Sequence, residues 1–552
     1  MKNKHIYTAF LFGAFLFWGC SEEDDIFAVP FVPEVEQVTP PPVNYTSGTA
    51  DFSTYVSVGN SLTAGFSDNA LFVRGQTASF PNILAQQFAL AGGGDFSQPL
   101  MNDDLGGLLL GGNEIADTRL IFDAANQVPV NIPGDPTTEV SNVLSGPFNN
   151  MGVPGAKSYH LLANGYGNVA GVAAGLANPY FARMASNPNA SVMEDAMAQN
   201  PTFFSLWIGS NDILGYAVSG GSGEDHNLTG NLDASTYAGN DITNAGVFAQ
   251  VYNGLLATLT AGGAVGIVAN LPNVTDAPYF TTVPHAPLDP TNPSFGPQIP
   301  TLNTVFGAMN QVFAFLGVPE RSVVFSENSA SAVVIRDETL IDLSAQIAQV
   351  LNADPNFPLF VQQFGLPPQA APLVANLFGA AYGQVRQATV EDLLVLPSRN
   401  VIGSINQDSF AFLQSQGLSP ELAAQFSAEG ITYALDDQWV LIPSEQTAIA
   451  DATVAFNTTI AAAAEQFDLA FFDANTFLNT VATTGVPIQS GDNPATVTAD
   501  FVTGGAFSLD GVHPSPRGYA VAANQMIGII NAKYGSNLPE VNPVDFTGLY
   551  LN

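Results

Sequence analysis

The stretch from Tyr55 to Gly65, YVSVGNSLTAG, decides how the rest of the chain is interpreted. Its first part, Tyr55 to Val58, is a short apolar run that predicts a buried strand. Gly59 and Asn60 interrupt the run, and the residues after Ser61 favour a helix. A serine at such a junction lies beside the free backbone N–H groups of the first helical turn. We therefore expect Ser61 to be either a nucleophile or a simple helix cap, the common role at such a junction.

The composition indicates an acidic, apolar and loop-rich protein. The 552 residues include 48 acidic and 12 basic side chains, a formal net charge of −36. Hydrophobic residues make up 46% of the chain and charged residues only 11%, against about 25% in an average soluble domain. Because phosphate binding needs clustered Lys and Arg, nucleic acid is not an expected partner. Unassisted docking on an anionic membrane surface is disfavoured for the same reason.

The N-terminus has the features of an export signal. Lys2 and Lys4 precede the apolar segment Ile6 to Trp18, which is too short to span a bilayer as an anchor. Gly19 and Cys20 follow, and Cys20 is the only cysteine, so no intramolecular disulfide can form. This arrangement resembles the lipobox of bacterial lipoproteins. The resemblance implies acylation of Cys20 and attachment to a membrane through that lipid; the alternative is a leader with a chance cysteine.

The predicted domain plan has four parts. They are a signal peptide (1–19), a lipidated, acidic and Pro-rich tether (20–51), a folded domain (52–540) and a C-terminal tail (541–552). The tether begins with SEEDD at 21–25, which resembles the signal that carries some Bacteroidetes lipoproteins to the outer face of the outer membrane. The alternative is a plain solvated charge run. The expected location is the outer membrane and cell envelope, with an outer-membrane protein as a further candidate partner.

Alternating apolar runs and helical patterns predict an α/β fold. Strands are expected at Tyr55–Val58, Phe203–Ile208, Ala264–Leu271, Val323–Phe325 and Leu469–Phe472, and helices at Ser79–Ala91, Gly246–Ala261, Ser444–Phe467 and Pro516–Tyr534. Such alternation is typical of a parallel sheet with helices on both faces. We therefore expect a three-layer α/β/α sandwich around a parallel central sheet.

Two long segments interrupt this pattern and are expected to be insertions. Residues 92–148 are rich in Gly, Asp and Asn and show little periodicity. Residues 275–437 are Pro-rich and apolar, most of all between Phe357 and Tyr382. The second segment is expected to be either a lid or wall of an acyl pocket, or a helical subdomain that packs on the sheet.

Four histidines follow the leader, and one of them has the surroundings of a catalytic base. His226 and His285 lie in polar or Pro-rich loops and are expected at the surface, whereas His160 lies among apolar residues and is expected to pack. His513 follows Asp510 by three residues, just before the last predicted helix. That spacing lets the carboxylate bind Nδ1 and leaves Nε2 free to take a serine proton.

Four sequence blocks resemble those of the GDSL, or SGNH, hydrolase superfamily and occur in its order. They are GNSLTAG with Ser61, NNMGVPGAKSY with Gly155, WIGSNDIL with Asn211, and DGVHP with Asp510 and His513. The resemblance runs from about residue 52 to 534, apart from long segments between the blocks. It implies a flavodoxin-like α/β/α fold with large insertions.

The resemblance also implies a function, that of a serine esterase or lipase acting on small-molecule or lipid esters. Ser61 would be the nucleophile, His513 the base and Asp510 the acid that orients it. The backbone N–H groups of Ser61 and Gly155 and the side chain of Asn211 would form the oxyanion hole. This chemistry requires neither a metal nor a cofactor.

The chain departs from the family pattern at one position. Asn60 stands where the family usually has Asp, which removes a charge beside the nucleophile but is not a change of the triad acid. The chain also lacks the G-x-S-x-G nucleophile elbow, because Thr63 stands where that motif needs Gly. This absence disfavours the α/β-hydrolase fold.

Two other functions are consistent with the sequence. A carbohydrate acetylesterase of the same fold would suit a cleft rich in Trp and Tyr, yet only Trp207 and Trp439 follow the leader. A non-catalytic lipoprotein that binds lipid or a protein partner would carry a vestigial triad. The acidic loops 102–104 and 223–225 are candidate Ca²⁺ ligands, although solvated acidic loops are far commoner.

Overall fold

The structure is a computed structural model that describes residues 43–490 and 493–551. The predicted signal peptide, Cys20, the SEEDD run and most of the tether lie outside these residues. From Tyr45 onward the chain forms one compact unit.

The strands and helices follow one another along the chain in mixed order. The strands are β1 Tyr55–Gly59, β2 Leu108–Leu110, β3 Asn113–Ala116, β4 Leu120–Asp123, β5 Val128–Asn131, β6 Asn150–Gly152, β7 Phe203–Trp207, β8 Val265–Ala269, β9 Val334–Arg336, β10 Val385–Gln387, β11 Leu393–Leu394, β12 Val440–Leu441, β13 Ala470–Phe472, β14 Val486–Ser490 and β15 Asn493–Val497. The helices are α1 Ser61–Ala64, α2 Val73–Thr77, α3 Phe80–Leu90, α4 Val169–Val172, α5 Pro179–Ala182, α6 Val192–Met197, α7 Asn211–Val218, α8 His226–Thr229, α9 Ala245–Thr260, α10 Pro278–Thr281, α11 Ile299–Phe315, α12 Ser344–Ala353, α13 Phe357–Gln362, α14 Ala371–Tyr382, α15 Gln407–Ser415, α16 Pro420–Gln425, α17 Pro443–Gln466, α18 Ala474–Thr483 and α19 Pro516–Tyr534. None of the described helices is both long and apolar enough to cross a bilayer.

A five-stranded parallel sheet forms the centre of the molecule, which is an α/β fold. The strands lie in the order β6-β1-β7-β8-β13, and every neighbouring pair is parallel. Relative to chain order this is 2-1-3-4-5, which reverses direction between the first and third strands. In open parallel sheets a crevice forms at the carboxyl ends of the strands at such a reversal. The structure therefore points to the ends of β1 and β7 as the place for a site.

Alternate residues of the sheet contribute to two different hydrophobic clusters. Val56 of β1 belongs to one cluster, in which Phe248 of α9 and Phe456 of α17 stack with ring centroids 4.1 Å apart. Tyr55 belongs to the other and contacts Phe88 of α3 edge-on at 5.0 Å. Helix α19 contributes to this second cluster. Successive side chains of a strand point to opposite faces, so each face has its own apolar partners.

The predicted strand at Val323–Phe325 is wrong. The backbone of this segment pairs with asparagine side chains of α11 instead of a neighbouring strand. Asn310 binds the N–H and C=O of Val323 at 2.9 and 2.8 Å, and Asn303 binds those of Phe325 at the same two distances. A short apolar run looks the same in sequence whether its backbone forms hydrogen bonds with a neighbouring strand or with side chains. Hydrophobic periodicity therefore does not distinguish the two cases.

The predicted insertion at 275–437 has a hydrophobic core of its own. Its buried side chains come from α11, α12 and α14 and from β9, β10 and β11, and Val440 and Ile442, just beyond residue 437, join the same cluster. A backbone bond from Tyr279 N–H to Gly511 C=O, 2.9 Å long, connects its first residues to the loop that carries His513. Helices α11 to α16 make up most of its regular structure, and its role as lid, pocket wall or subdomain stays a prediction. The insertion at 92–148 contains two antiparallel pairs, β2–β3 and β4–β5, which sequence periodicity did not predict.

Packing extends beyond both predicted ends of the folded domain. Thr46 N–H donates to Asn537 Oδ1 at 2.7 Å, ahead of the boundary predicted at residue 52. In the predicted tail, Tyr550 C=O accepts from Phe122 N–H at 2.9 Å, and the Arg119 guanidinium lies 4.6 Å from the centre of the Tyr550 ring.

We expect Gly152→Ala to lower the free energy of unfolding by about 1–3 kcal/mol, because a Cβ there would lie 2.3 Å from Ala64 N in a close approach of β6 to α1. Gly254→Ala in α9 is the matched control, since a Cβ at this exposed helical site meets nothing within 4 Å. The control should raise the free energy of unfolding by about 0.5–1 kcal/mol. Urea unfolding measures both, and equal effects would contradict the described contact.

Candidate active site

Three loops of the predicted site begin side by side at the carboxyl edge of the sheet. Gly59 at the end of β1 is in register with Gly152 of β6 and with Trp207 of β7. Ser61 follows Gly59 by two residues, and Asn211 opens α7 just after β7. The strand register therefore brings separate sequence blocks together.

Ser61, His513 and Asp510 form a continuous chain of hydrogen-bonding groups. Ser61 Oγ lies 2.9 Å from His513 Nε2, and His513 Nδ1 lies 3.0 Å from Asp510 Oδ2. The ring of Phe66 packs against the imidazole with centroids 4.7 Å apart. With Nδ1–H donating to the carboxylate, Nε2 is free to accept the serine proton.

The surroundings of Asp510 keep it ionised. Its Oδ1 accepts from the backbone N–H groups of Val512 and His513, both at 2.8 Å, and its Oδ2 accepts from Asn69 N–H at 2.9 Å. Burial opposes ionisation of this carboxyl, but the adjacent His513 and the backbone donors outweigh burial and lower its pKa to about 2. Asp510 is therefore a carboxylate acceptor for His513 throughout the neutral range.

Asn60, not Ser61, caps the short helix α1. Its Oδ1 accepts from Leu62 N–H at 3.0 Å, and the helix ends at Gly65, whose φ of +82° suits glycine. The alternative of Ser61 as a simple cap is therefore wrong. Asn60 supplies the same acceptor that Asp would, but its buried Nδ2 has no hydrogen-bond partner among the described residues.

Asn211 and Gly155 occupy neighbouring turns. Asn211 Nδ2 donates to Ala156 C=O at 2.9 Å, which uses one of its two N–H groups and leaves the other available. Gly155 has a φ of +80°, a left-handed conformation that favours glycine at the turn. In the described part of the chain, the N–H groups of Ser61 and Gly155 have no hydrogen-bond partner.

Asp212, which lies in the quoted block WIGSNDIL, links these two turns. Its carboxylate accepts from Ser158 N–H and Ser158 Oγ, both at 2.8 Å, and it is completely buried. Lys157, also buried, donates to two backbone carbonyls nearby. Lys157 was not singled out from the sequence; it lies two residues after Gly155 in a quoted block, and that adjacency was the available signal.

Asp68 is a second residue that sequence reasoning missed. Its backbone N–H donates to Ser508 Oγ at 2.9 Å, and its Oδ1 accepts from Leu509 N–H at 3.0 Å. Burial and the nearby negative charge of Asp510 together raise the pKa of Asp68 to about 7. The positive charge of Arg119 lowers this pKa but does not outweigh them. Asp68 therefore connects the segment after Ser61 to the segment before Asp510.

The remaining histidines do not take part in this site. His226 was expected at the surface, but it is buried: its Nε2 lies 2.9 Å from Asp241 Oδ2, and its ring stacks on Tyr237 at 3.9 Å. The loop folds back over its own histidine. The polar composition of the loop gave no indication of this burial. His160 packs as expected, between Tyr159 and Tyr166.

A cavity with a volume of about 100 Å³ opens beside Ser61 and His513. Ser210 and Asn211 also reach it, together with Trp207, whose indole N–H donates to a backbone carbonyl at 3.1 Å. The other side chains that line it are apolar. Hydrogen-bonding groups are therefore confined to the end where the serine lies.

The acidic loops considered for Ca²⁺ are engaged with their own surroundings. Asp104 forms an ion pair with Arg74 at 3.0 Å, and Asp103 accepts from Leu105 N–H at 2.8 Å. Asp225 caps α8. A Ca²⁺ site at these loops stays a prediction.

Among the described residues, one other acidic cluster has metal-ligand spacing. Oxygens of Glu338, Asp437 and Glu445 lie within 4.8 Å of one another. Burial and the neighbouring carboxyls raise the pKa of Glu445 to about 9 and that of Asp437 to about 6. Burial and like charge therefore favour the protonated form of Glu445 at neutral pH.

The four quoted sequence blocks thus lie at one edge of the sheet, around one serine. No family model, curated protein or solved structure matches the chain. The roles of the site residues are therefore inferred from their geometry.

We expect Asp68→Asn to remove a pH dependence of stability. A buried carboxyl with a raised pKa stabilises the fold only while protonated, so wild type should lose free energy of unfolding as the pH rises from about 4 to 7, by up to about 4 kcal/mol. Asn keeps the acceptor for Leu509 N–H but cannot ionise. Urea unfolding of both proteins between pH 4 and 8 measures the difference, and parallel curves would contradict the prediction.

Proposed function

We propose that this protein is a serine ester hydrolase of the SGNH type that cleaves acyl or lipid esters. One observation carries the proposal: the hydrogen-bonded chain from Ser61 through His513 to Asp510 at the mouth of an apolar cavity. A serine, a base within hydrogen-bond reach and an acid that orients the base are the parts that nucleophilic acyl transfer requires.

In the first half-reaction His513 Nε2 takes the proton of Ser61 Oγ as that oxygen forms a bond to the ester carbonyl carbon. The carbonyl π electrons move to oxygen and give a tetrahedral oxyanion. When the carbonyl reforms, the bond to the alcohol oxygen breaks, and the imidazolium gives its proton to that oxygen. The alcohol leaves, and the acyl group stays on Ser61.

In the second half-reaction water repeats the sequence. His513 removes a proton from water, whose oxygen attacks the acyl carbon. The bond to Ser61 Oγ then breaks, and Oγ regains a proton from His513. The products are a carboxylic acid and free enzyme.

The oxyanion of both steps would be bound by the N–H groups of Ser61 and Gly155 and the free N–H of Asn211. The first two are unpaired among the described residues, and the Asn211–Ala156 bond fixes the orientation of the amide. Donors held in place before the reaction stabilise the developing charge without reorganisation.

Two alternatives are less well supported. A carbohydrate acetylesterase needs polar partners for sugar hydroxyls, and the cavity offers them only beside the serine. A vestigial triad in a binding protein has no need of the short contact between Ser61 and His513.

We also infer a three-layer α/β/α arrangement and attachment to the outer membrane through Cys20. The layering is supported by the two clusters to which alternate strand residues contribute. The attachment is supported only by the leader sequence.

Ser61→Ala should abolish ester hydrolysis and labelling by a fluorophosphonate probe, because the group that forms the covalent bond is removed, while the melting temperature stays within a few degrees. Labelling and p-nitrophenyl ester hydrolysis by the soluble domain from residue 21 onward measure this. Normal turnover by a pure Ser61→Ala preparation would refute the assignment. A well-folded wild type that is not labelled would favour the binding-protein alternative.

Asn211→Ala should lower kcat on the order of 10²-fold or more, through loss of one oxyanion donor. Asn253→Ala is the matched control, because Asn253 Nδ2 also donates to a backbone carbonyl, at 2.8 Å, but lies in α9 away from the site. Steady-state kinetics of both variants separate catalysis from folding. A similar loss in the control would argue against a role for Asn211 in the reaction.

A further inference from the structure

The cavity beside Ser61 continues well beyond the reacting groups. Its far walls come from α18, β15 and α19, in the C-terminal part of the chain. On α18 the lining residues run from Ala474 to Val481. At 1.5 Å per residue this is a length of about 10 Å along the helix axis. The apolar wall along α18 is thus longer than an acetyl group needs.

A separate small hydrophobic cluster contributes the parts of the wall on α18, β15 and α19. The buried members of this cluster, apart from Ile488, all line the cavity: Leu478, Val481, Val497, Ala506 and Val521. These side chains are themselves shielded from solvent, so this part of the wall is not exposed to water.

The chemistry of the walls excludes a polar ligand in the deep part. Hydroxyl groups placed there would lose their bonds to water without replacement, at a cost of several kcal/mol each. Water is an equally poor occupant, since apolar cavities tend to remain dry. A hydrocarbon chain, in contrast, gains from burial of each methylene.

The shape assigns the chain to the acyl side of the ester. The alcohol must leave, and water must enter, between the two half-reactions, and both need the open mouth. The acyl group stays bonded to Ser61 throughout, so it is the part that an apolar pocket can hold.

We propose that this cavity, defined by its walls on α18, β15 and α19, is a binding site for an unbranched acyl chain longer than butyryl, with Val481 and Val521 in these walls setting the preferred length. The proposal rests on the proposed ester hydrolysis at Ser61. It differs from the expectation that the insertion at 275–437 forms an acyl pocket, since that segment contributes only Ala277 and Phe280 near the mouth.

The test measures kcat/KM for p-nitrophenyl esters from acetate to hexadecanoate. For wild type we expect a rise of up to about fourfold per added methylene, then a plateau once the chain fills the cavity. Val521→Phe should lower the ratio of decanoate to acetate activity by about tenfold or more, and Val521→Ala should move the plateau to longer chains. Val454→Phe, at an exposed site on α17, is the control and should leave the profile unchanged.

The outcomes separate this proposal from the proposed function. If wild type hydrolyses esters but its profile is flat, or if Val521→Phe has the wild-type profile, the acyl-chain site is refuted while ester hydrolysis stands. If wild type is folded and hydrolyses no ester, both fail. Acetates of n-alcohols form a second series, and chain-length dependence in that series alone would overturn the acyl assignment. Val481→Phe replaces Val521→Phe if the latter does not fold.

Discussion

The contact between Ser61 Oγ and His513 Nε2 joins residues 452 positions apart, and the rest of the site depends on it. Three further contacts hold the two segments in place. Tyr519 Oη donates to Phe66 C=O at 2.8 Å, and the Asp68 backbone and side chain bind the segment just before Asp510. The position of His513 relative to Ser61 is therefore determined by packing of α19 against the segment after α1. Neither loop determines it alone.

The sequence predicted the strands of the central sheet well where short apolar runs were bounded by turn residues. Strands β1, β7, β8 and β13 were found from such runs, and the helix Pro516–Tyr534 has the predicted bounds. Ser61, His513 and Asp510 were singled out because four motifs occur in a particular order along the chain. That order is a property of the whole chain, and no local pattern brings Ser61 and His513 together.

The failures have a common physical cause: tertiary contacts decided what local composition left open. Val323–Phe325 has the composition of a strand, but asparagines of α11 satisfy its backbone. His226 lies in a polar loop, but that loop covers it and provides Asp241 as a partner. The supporting roles of Asp68 and Asp212 depend on bonds to residues far away in sequence, which composition cannot indicate. The residues that line the cavity were not predicted for the same reason, since apolar cavity walls resemble ordinary core residues in sequence.

The position of the insertion at 275–437 has a consequence for the order in which the protein assembles during synthesis. It separates β8 from β13, so the sheet edge at β8 stays unpaired until the whole subdomain has been made. Non-local pairing of this kind is slow, and an unpaired edge attracts other chains. The segment 275–437 has its own core and can bury its apolar residues before β13 has been made to pair with β8. His513 is made later still, 452 positions after Ser61, so a nascent chain carries this serine for that whole length without the imidazole beside it.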